Sequence, residues 1–138
     1  MPKAPYEKYL GPGARDVGCI INVRAHYDED NRGEYRKYQA VWDTGSTRSA
    51  ISSRVVAELA PPQVSETQVR GVNGDWHKCP VYYTDFEFPN GDSVSVETTR
   101  ADFLGADILI GMDVIDKGNF CLTHRKGSQG LFFTFEII

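Results

Sequence analysis

Residues 40–52 read AVWDTGSTRSAIS and place one carboxylate, Asp43, between an apolar run and Gly45, where the chain can turn sharply. A carboxylate held at such a bend can take or give a proton in a reaction, and the hydroxyls of Thr44 and Ser46 stand beside it. The plainer alternative is the polar opening of an ordinary turn. Two other stretches stand out. The glycine-rich VRGVNGDW (69–76) has the composition of a hairpin tip, and in DILIGMDVI (107–115) the apolar pair Leu109-Ile110 runs into Gly111. Other chemistries lack their parts. His26, His77 and His124 are far apart, without the spacing of metal ligands, so no metal site is expected. Ser46 lacks the GxSxG frame of a nucleophile elbow, and Cys19, Cys79 and Cys121 form neither a CxxC pair nor an even set for a disulfide framework.

Strands and tight turns must position these groups. CIINVRAHY (19–27) and YRKYQAVW (35–42) are rich in β-branched and aromatic residues, and the turn-forming DEDNRGE (28–34) lies between them. That hairpin delivers the chain to Asp43. RSAIS (48–52) then reads as a short strand, and SRVVAELA (53–60) as a helix with serine at its start and Pro61-Pro62 stopping it. TQVRGV (67–72), WHKCPVYYTDFEF (76–88) and SVSVETTRADFL (93–104) are predicted strands, separated by turns at Asn73-Gly74 and Asn90-Gly91, residues that tolerate positive φ. FCLTHRKGSQGLFFTFEII (120–138) reads as a closing hairpin. Many short strands with one or two brief helices predict an all-β fold, a closed β-barrel. Residues 1–16, with Pro2, Pro5, Gly11, Pro12 and Gly13, are expected to form an extended arm, and 17–138 a single domain.

The 138 residues, 41% hydrophobic and 25% charged, have the balance of a soluble globular chain. A net charge of -4 provides no broad basic field, so nucleic acid is not an expected partner. No apolar stretch approaches the ~20 residues that span a bilayer. The expectation is a soluble, cytoplasmic protein with no membrane partner and no cofactor.

Asp43-Thr44-Gly45-Ser46, then the hairpin at 69–76, then Leu109-Ile110-Gly111 follow one another in a particular order. In that order the sequence resembles the retropepsin-like aspartic proteases, over about residues 18–137. The resemblance implies their closed acid-protease barrel and a polypeptide substrate. It also implies catalytic roles for Asp43, Thr44, Gly45 and Ser46: Asp43 works on water, Thr44 reaches to a second copy of its own loop, Gly45 supplies a close backbone donor, and Ser46 donates to the outer carboxylate oxygen. The hairpin becomes a flap, with Arg70, Gly71, Val72, Asn73, Gly74 and Trp76 over the substrate, and Leu109 and Ile110 are expected as core or pocket wall. Such chemistry needs two carboxylates, one ionised and one protonated, because like charges about 3 Å apart cannot both ionise. This chain has one Asp-Thr-Gly, and GDSVSV (91–96) lacks the glycine of a second, so the resemblance implies a homodimer that pairs Asp43 with its symmetry mate.

In such dimers the termini interleave into an interface sheet, a role for the apolar tail LFFTFEII. Met112 stands where viral members carry Arg, and Asp113 is expected as a helix cap. Trp42 is bulkier than the usual Leu before the catalytic Asp. A non-catalytic dimerisation or peptide-binding module on the same barrel is the alternative function.

Overall fold

The alternation of buried and exposed residues that marks a half-buried strand runs through most of the chain. In the computed structural model, which describes residues 4–71, 73–125, 127 and 129–138, it forms ten strands and two short helices. Strand β1 (Tyr6–Tyr9) is followed by β2 (Val17–Ala25), which buries Cys19, Ile21, Val23 and Ala25. β3 (Arg36–Trp42) buries Tyr38, Ala40 and Trp42. Next come β4 (Ala50–Ile51), α1 (Ser53–Leu59), β5 (Gln63–Arg70), β6 (Trp76–Glu87), β7 (Ser93–Arg100), β8 (Ile108–Ile110), α2 (Met112–Ile115), β9 (Gly118–His124) and β10 (Leu131–Ile137). The Ser52 hydroxyl caps α1 by accepting from the Val55 N–H, and a left-handed Ala60 ends the helix before the two prolines.

Seven strands form one sheet in the order β2-β3-β8-β4-β7-β6-β5, and an additional pairing of β2 with β6 closes it on itself. The remaining three form a second sheet, β1-β10-β9. Between them lies an aromatic core centred on Trp42, whose indole packs against Phe88, Phe120, Phe133 and Phe135 and donates its N–H to Cys19 Sγ. The bulky residue before Asp43 thus anchors the end of β3 in the core. Burying a Trp of this kind contributes about 3–5 kcal/mol relative to Ala.

Three elements differ from expectation. β5 begins at Gln63, four residues before the predicted strand, because β6 is long enough to pair with that stretch as well. Part of the expected arm, Tyr6–Tyr9, is an edge strand on β10, with Pro5 just outside it, where proline costs no ladder bond. The apolar tail does not offer free edges for interleaving. β10 lies between β1 and β9 of its own chain, and its Phe133 and Phe135 are buried. Among the described residues no helix is long and apolar enough to cross a membrane.

Candidate functional site

β8 runs parallel to β3 and antiparallel to β4, so it sits between the two strands that the Asp43 loop connects. The loop must therefore cross over the C-terminal end of β8. There the Asp43 N–H donates to the Ile110 carbonyl (2.8 Å), and the Met112 N–H donates to the Ser46 carbonyl (2.8 Å). The crossing is so close that a Cβ on Gly111 would lie 2.8 Å from backbone atoms of Ser46 and Arg48, closer than such atoms can approach. The glycine that follows Leu109-Ile110 is thus the space through which the loop passes.

Asp113 fixes the far side of the loop. Its two carboxylate oxygens accept from the Ser49 hydroxyl (2.7 Å) and the Ser49 N–H (2.9 Å), and the same hydroxyl accepts from the Gly111 N–H (3.0 Å). Expected as a helix cap, Asp113 does accept from the Val114 N–H in the first turn of α2 (2.9 Å), but it stands inside the helix and is also a clamp across the fold; Gly111 occupies the N-cap position without a side-chain bond. Sequence reading saw Asp113 beside an apolar-Gly element, but nothing local identified Ser49 as its partner.

Asp43 itself is half-buried, and its Oδ1 accepts from the Gly45 N–H (2.8 Å). Thr44 is exposed, and its hydroxyl makes no hydrogen bond among the described residues. Ser46 is placed otherwise than expected. Its hydroxyl donates to the Arg48 carbonyl (2.8 Å), tightening the turn rather than reaching the Asp43 carboxylate. Serine hydroxyls readily bond nearby main chain in this way.

Two concavities flank the loop. On one side a groove of about 460 Å³ lies between Gly45 and Ser46 below and the β5–β6 hairpin above, bringing together Arg70, Trp76 and Leu109. On the other side a cavity of about 350 Å³ holds Asp43 and Thr44 together with Phe120 and Leu122 of β9. Strand alternation separates the expected apolar pair. Leu109 faces the groove, whereas Ile110 is fully buried in the core and contributes only its carbonyl, so its assignment as a substrate contact is corrected.

At the hairpin tip, Gly71 donates to the Asp75 carbonyl and Gly74 donates to that of Gly71; Gly74 has φ +87°, which a side-chain-bearing residue rarely adopts. Asn73 bonds Asp75. Gly71, Asn73 and Gly74 thus build the turn and do not line the groove, and Val72 lies outside the described residues. Sequence reading missed Arg48, Gln68 and Thr99, which do line it. They carry no motif, and only the approach of β5 and β7 to the loop brings them there. Among the described residues no group of His, Cys, Asp and Glu is arranged to hold a metal ion.

No protein-family model matches the chain, and no curated protein matches it in sequence. Solved structures do match in shape. The EIAV protease in complex with an inhibitor superposes with a TM-score of 0.54 at 13% identity, over 74% of this chain and 86% of that one. A retropepsin-like aspartic protease from Rickettsia conorii gives 0.53 at 14% identity, over 97% of this chain and 94% of that one. At such identities the likeness speaks for backbone architecture. Taken with the loop crossing over β8 and the hairpin above the groove, it shows that this chain has the fold of the retropepsin-like aspartic proteases.

Proposed function

We propose that the protein is an aspartic endopeptidase that works as a homodimer, with Asp43 of each copy forming one catalytic dyad. One carboxylate, ionised, takes a proton from water; the partner subunit's Asp43, protonated, polarises the scissile carbonyl. Water adds to the carbonyl carbon, and the leaving nitrogen receives a proton as the carbon–nitrogen bond breaks. No covalent intermediate with the enzyme is required. The extended substrate spans the loop, from the groove under the β5–β6 hairpin, beside Arg70, Trp76 and Leu109, to the cavity that Asp43 and Thr44 border.

The observation that carries this reading is the position of Asp43. It stands at the end of β3, a half-buried strand anchored by Trp42, at a loop fixed by Ile110 and by the Asp113 clamp, yet its carboxylate accepts only one hydrogen bond among the described residues and borders a cavity. The test is incubation of the wild type and Asp43→Asn with a mixed peptide library at several pH values. Cleavage that the variant loses is the expected result. A dimer that cleaves nothing at any pH assigns the chain to the non-catalytic dimerisation or peptide-binding alternative.

A further inference from the structure

Two stretches of the chain read Asn-Gly-Asp, at 73–75 and 90–92, and both fold into the same turn. In each the glycine N–H donates three residues back, Gly74 to the Gly71 carbonyl (2.9 Å) and Gly91 to that of Phe88 (2.8 Å). The outer pair closes likewise, with the Gly71 N–H on the Asp75 carbonyl and the Phe88 N–H on that of Asp92. In each the asparagine amide donates to the aspartate carboxylate and accepts from the aspartate N–H.

Their surroundings differ. Asn90 also donates to the Ala4 carbonyl (3.1 Å), and the Asp92 carboxylate also accepts from the Ile137 N–H (3.1 Å). The second turn is thus tied to segments near both ends of the described chain, beside the buried Phe88. Asn73 and Asp75 are exposed, and among the described residues their side chains bond nothing outside the turn.

An asparagine before glycine has a reaction of its own, because no side chain shields the next main-chain nitrogen. The Gly74 nitrogen, after losing its proton to solvent, attacks Cγ of Asn73 and closes a five-membered succinimide. The bond from Cγ to Nδ2 breaks, and Nδ2 takes a proton from solvent and leaves as ammonia. Water then opens the ring at either carbonyl. One product is aspartate; the other is iso-aspartate, whose main chain is longer by one methylene. One water is consumed, one ammonia is released, and nothing is oxidised or reduced.

Ring closure requires that Gly74 release the Gly71 carbonyl and that the Asn73 amide release Asp75, a local opening of the turn. At 90–91 the same opening must also break the bonds to Ala4 and Ile137. We propose that Asn73-Gly74 is a self-modifying site of the native protein, whereas packing protects Asn90-Gly91. The product unlocks the hairpin: a carboxylate at 73 no longer donates to Asp75 and repels it, and the longer iso-aspartate chain loses the Gly71–Asp75 register. Because this hairpin stands over the groove, the modification is a slow off-switch for peptide cleavage, a consequence that rests on the proposed function.

The test is peptide mapping by mass spectrometry of protein held at mildly alkaline pH, native and in urea, with iso-aspartate scored by its methyltransferase. Native protein is expected to lose the Asn73 amide about tenfold faster than that of Asn90, since two further hydrogen bonds shift an opening equilibrium by that order. In urea, with both turns unfolded, the two sites are expected to react at similar rates. The modified chain, separated by its added negative charge, is expected to exchange the Gly71 and Gly74 amides faster than the unmodified one. No reaction at Asn73, equal native rates, a faster Asn90, or a difference that persists in urea overturns the proposal, and so does unchanged exchange in the modified chain. A protein that cleaves no peptide but shows these rates would sink the off-switch and the peptidase together and leave the self-modifying site standing.

Discussion

Asp43 and Asp85 are carboxylates of one barrel in opposite surroundings. Asp85, on β6, is 3% exposed and is held by His26 Nδ1 (2.8 Å), the Ser95 hydroxyl (2.8 Å) and Arg24 Nε (2.9 Å), with Arg32 at 3.7 Å. His26 is in turn stacked on Tyr83. Both carboxylate oxygens there are hydrogen-bonded, Oδ1 by His26 and Ser95 and Oδ2 by Arg24. Asp43 is half-buried, accepts one hydrogen bond from its own loop, and borders open space. The first arrangement cross-links β2 to β6 and β7 where the barrel closes; the second keeps an acid free to exchange a proton. A buried, hydrogen-bonded carboxylate of the first kind is a structural element, whereas the second has the coordination left over that the proposed catalytic role requires.

The contrast can be broken by mutation. Asp43→Asn is expected to lower peptidase activity by about 10³-fold or more, while the denaturant midpoint shifts by less than about 0.5 kcal/mol. A large loss of stability would show that Asp43 is itself structural. Asp85→Ala reverses the pattern: it strands Arg24 and His26 in a largely buried site and should cost about 3–5 kcal/mol in chemical denaturation. Activity per folded molecule should stay close to wild type.

Asp113→Ala sharpens the comparison, because Asp113 holds the Asp43 loop through Ser49 and is not itself one of the proposed catalytic groups. Leaving the Ser49 N–H and hydroxyl without their acceptor should cost about 1–3 kcal/mol. Turnover should fall as well, with Asp113→Asn recovering part of both. A stability loss with unaltered turnover would show that the clamp does not position Asp43.

The smallest effect is that of pH. Burial pushes the Asp85 carboxyl up, but hydrogen bonds from His26, Arg24 and Ser95 outweigh it, and the group lies below the ordinary carboxylate value. A depressed folded pKa stabilises the native state fully above the unfolded value of about 3.9 and ceases to do so as pH falls through the folded one. Stability measured by denaturation should therefore drop below pH ~4, and more steeply in the wild type than in Asp85→Asn. Parallel curves would remove Asp85 from the acid response.

Much of the molecule was legible in its residues. The Asn-Gly turns at 73–74 and 90–91 appear with Gly74 and Gly91 at positive φ, the serine-capped helix stops at the two prolines, and the order of Asp-Thr-Gly-Ser, hairpin and Leu-Ile-Gly pointed to the barrel. These features depend on a few adjacent residues, whose sterics act before the chain is packed. Ser46 was misjudged because its hydroxyl had two acceptors within reach, and the turn geometry chose Arg48.

What only the folded chain decided involves partners distant in sequence. The parallel pairing of β3 with β8 puts the Ile110 carbonyl under Asp43, Ser49 meets Asp113 across 64 positions, and Asp85 meets His26 across 59. No local propensity encodes which of 19 acidic residues meets which donor. That choice follows from strand order and register, where a shift of one residue turns each side chain to the opposite face. The sequence thus determined which residue types the chain had for the proposed chemistry, and the tertiary structure decided which carboxylates became tied to distant partners and left Asp43 with a single hydrogen bond from its own loop.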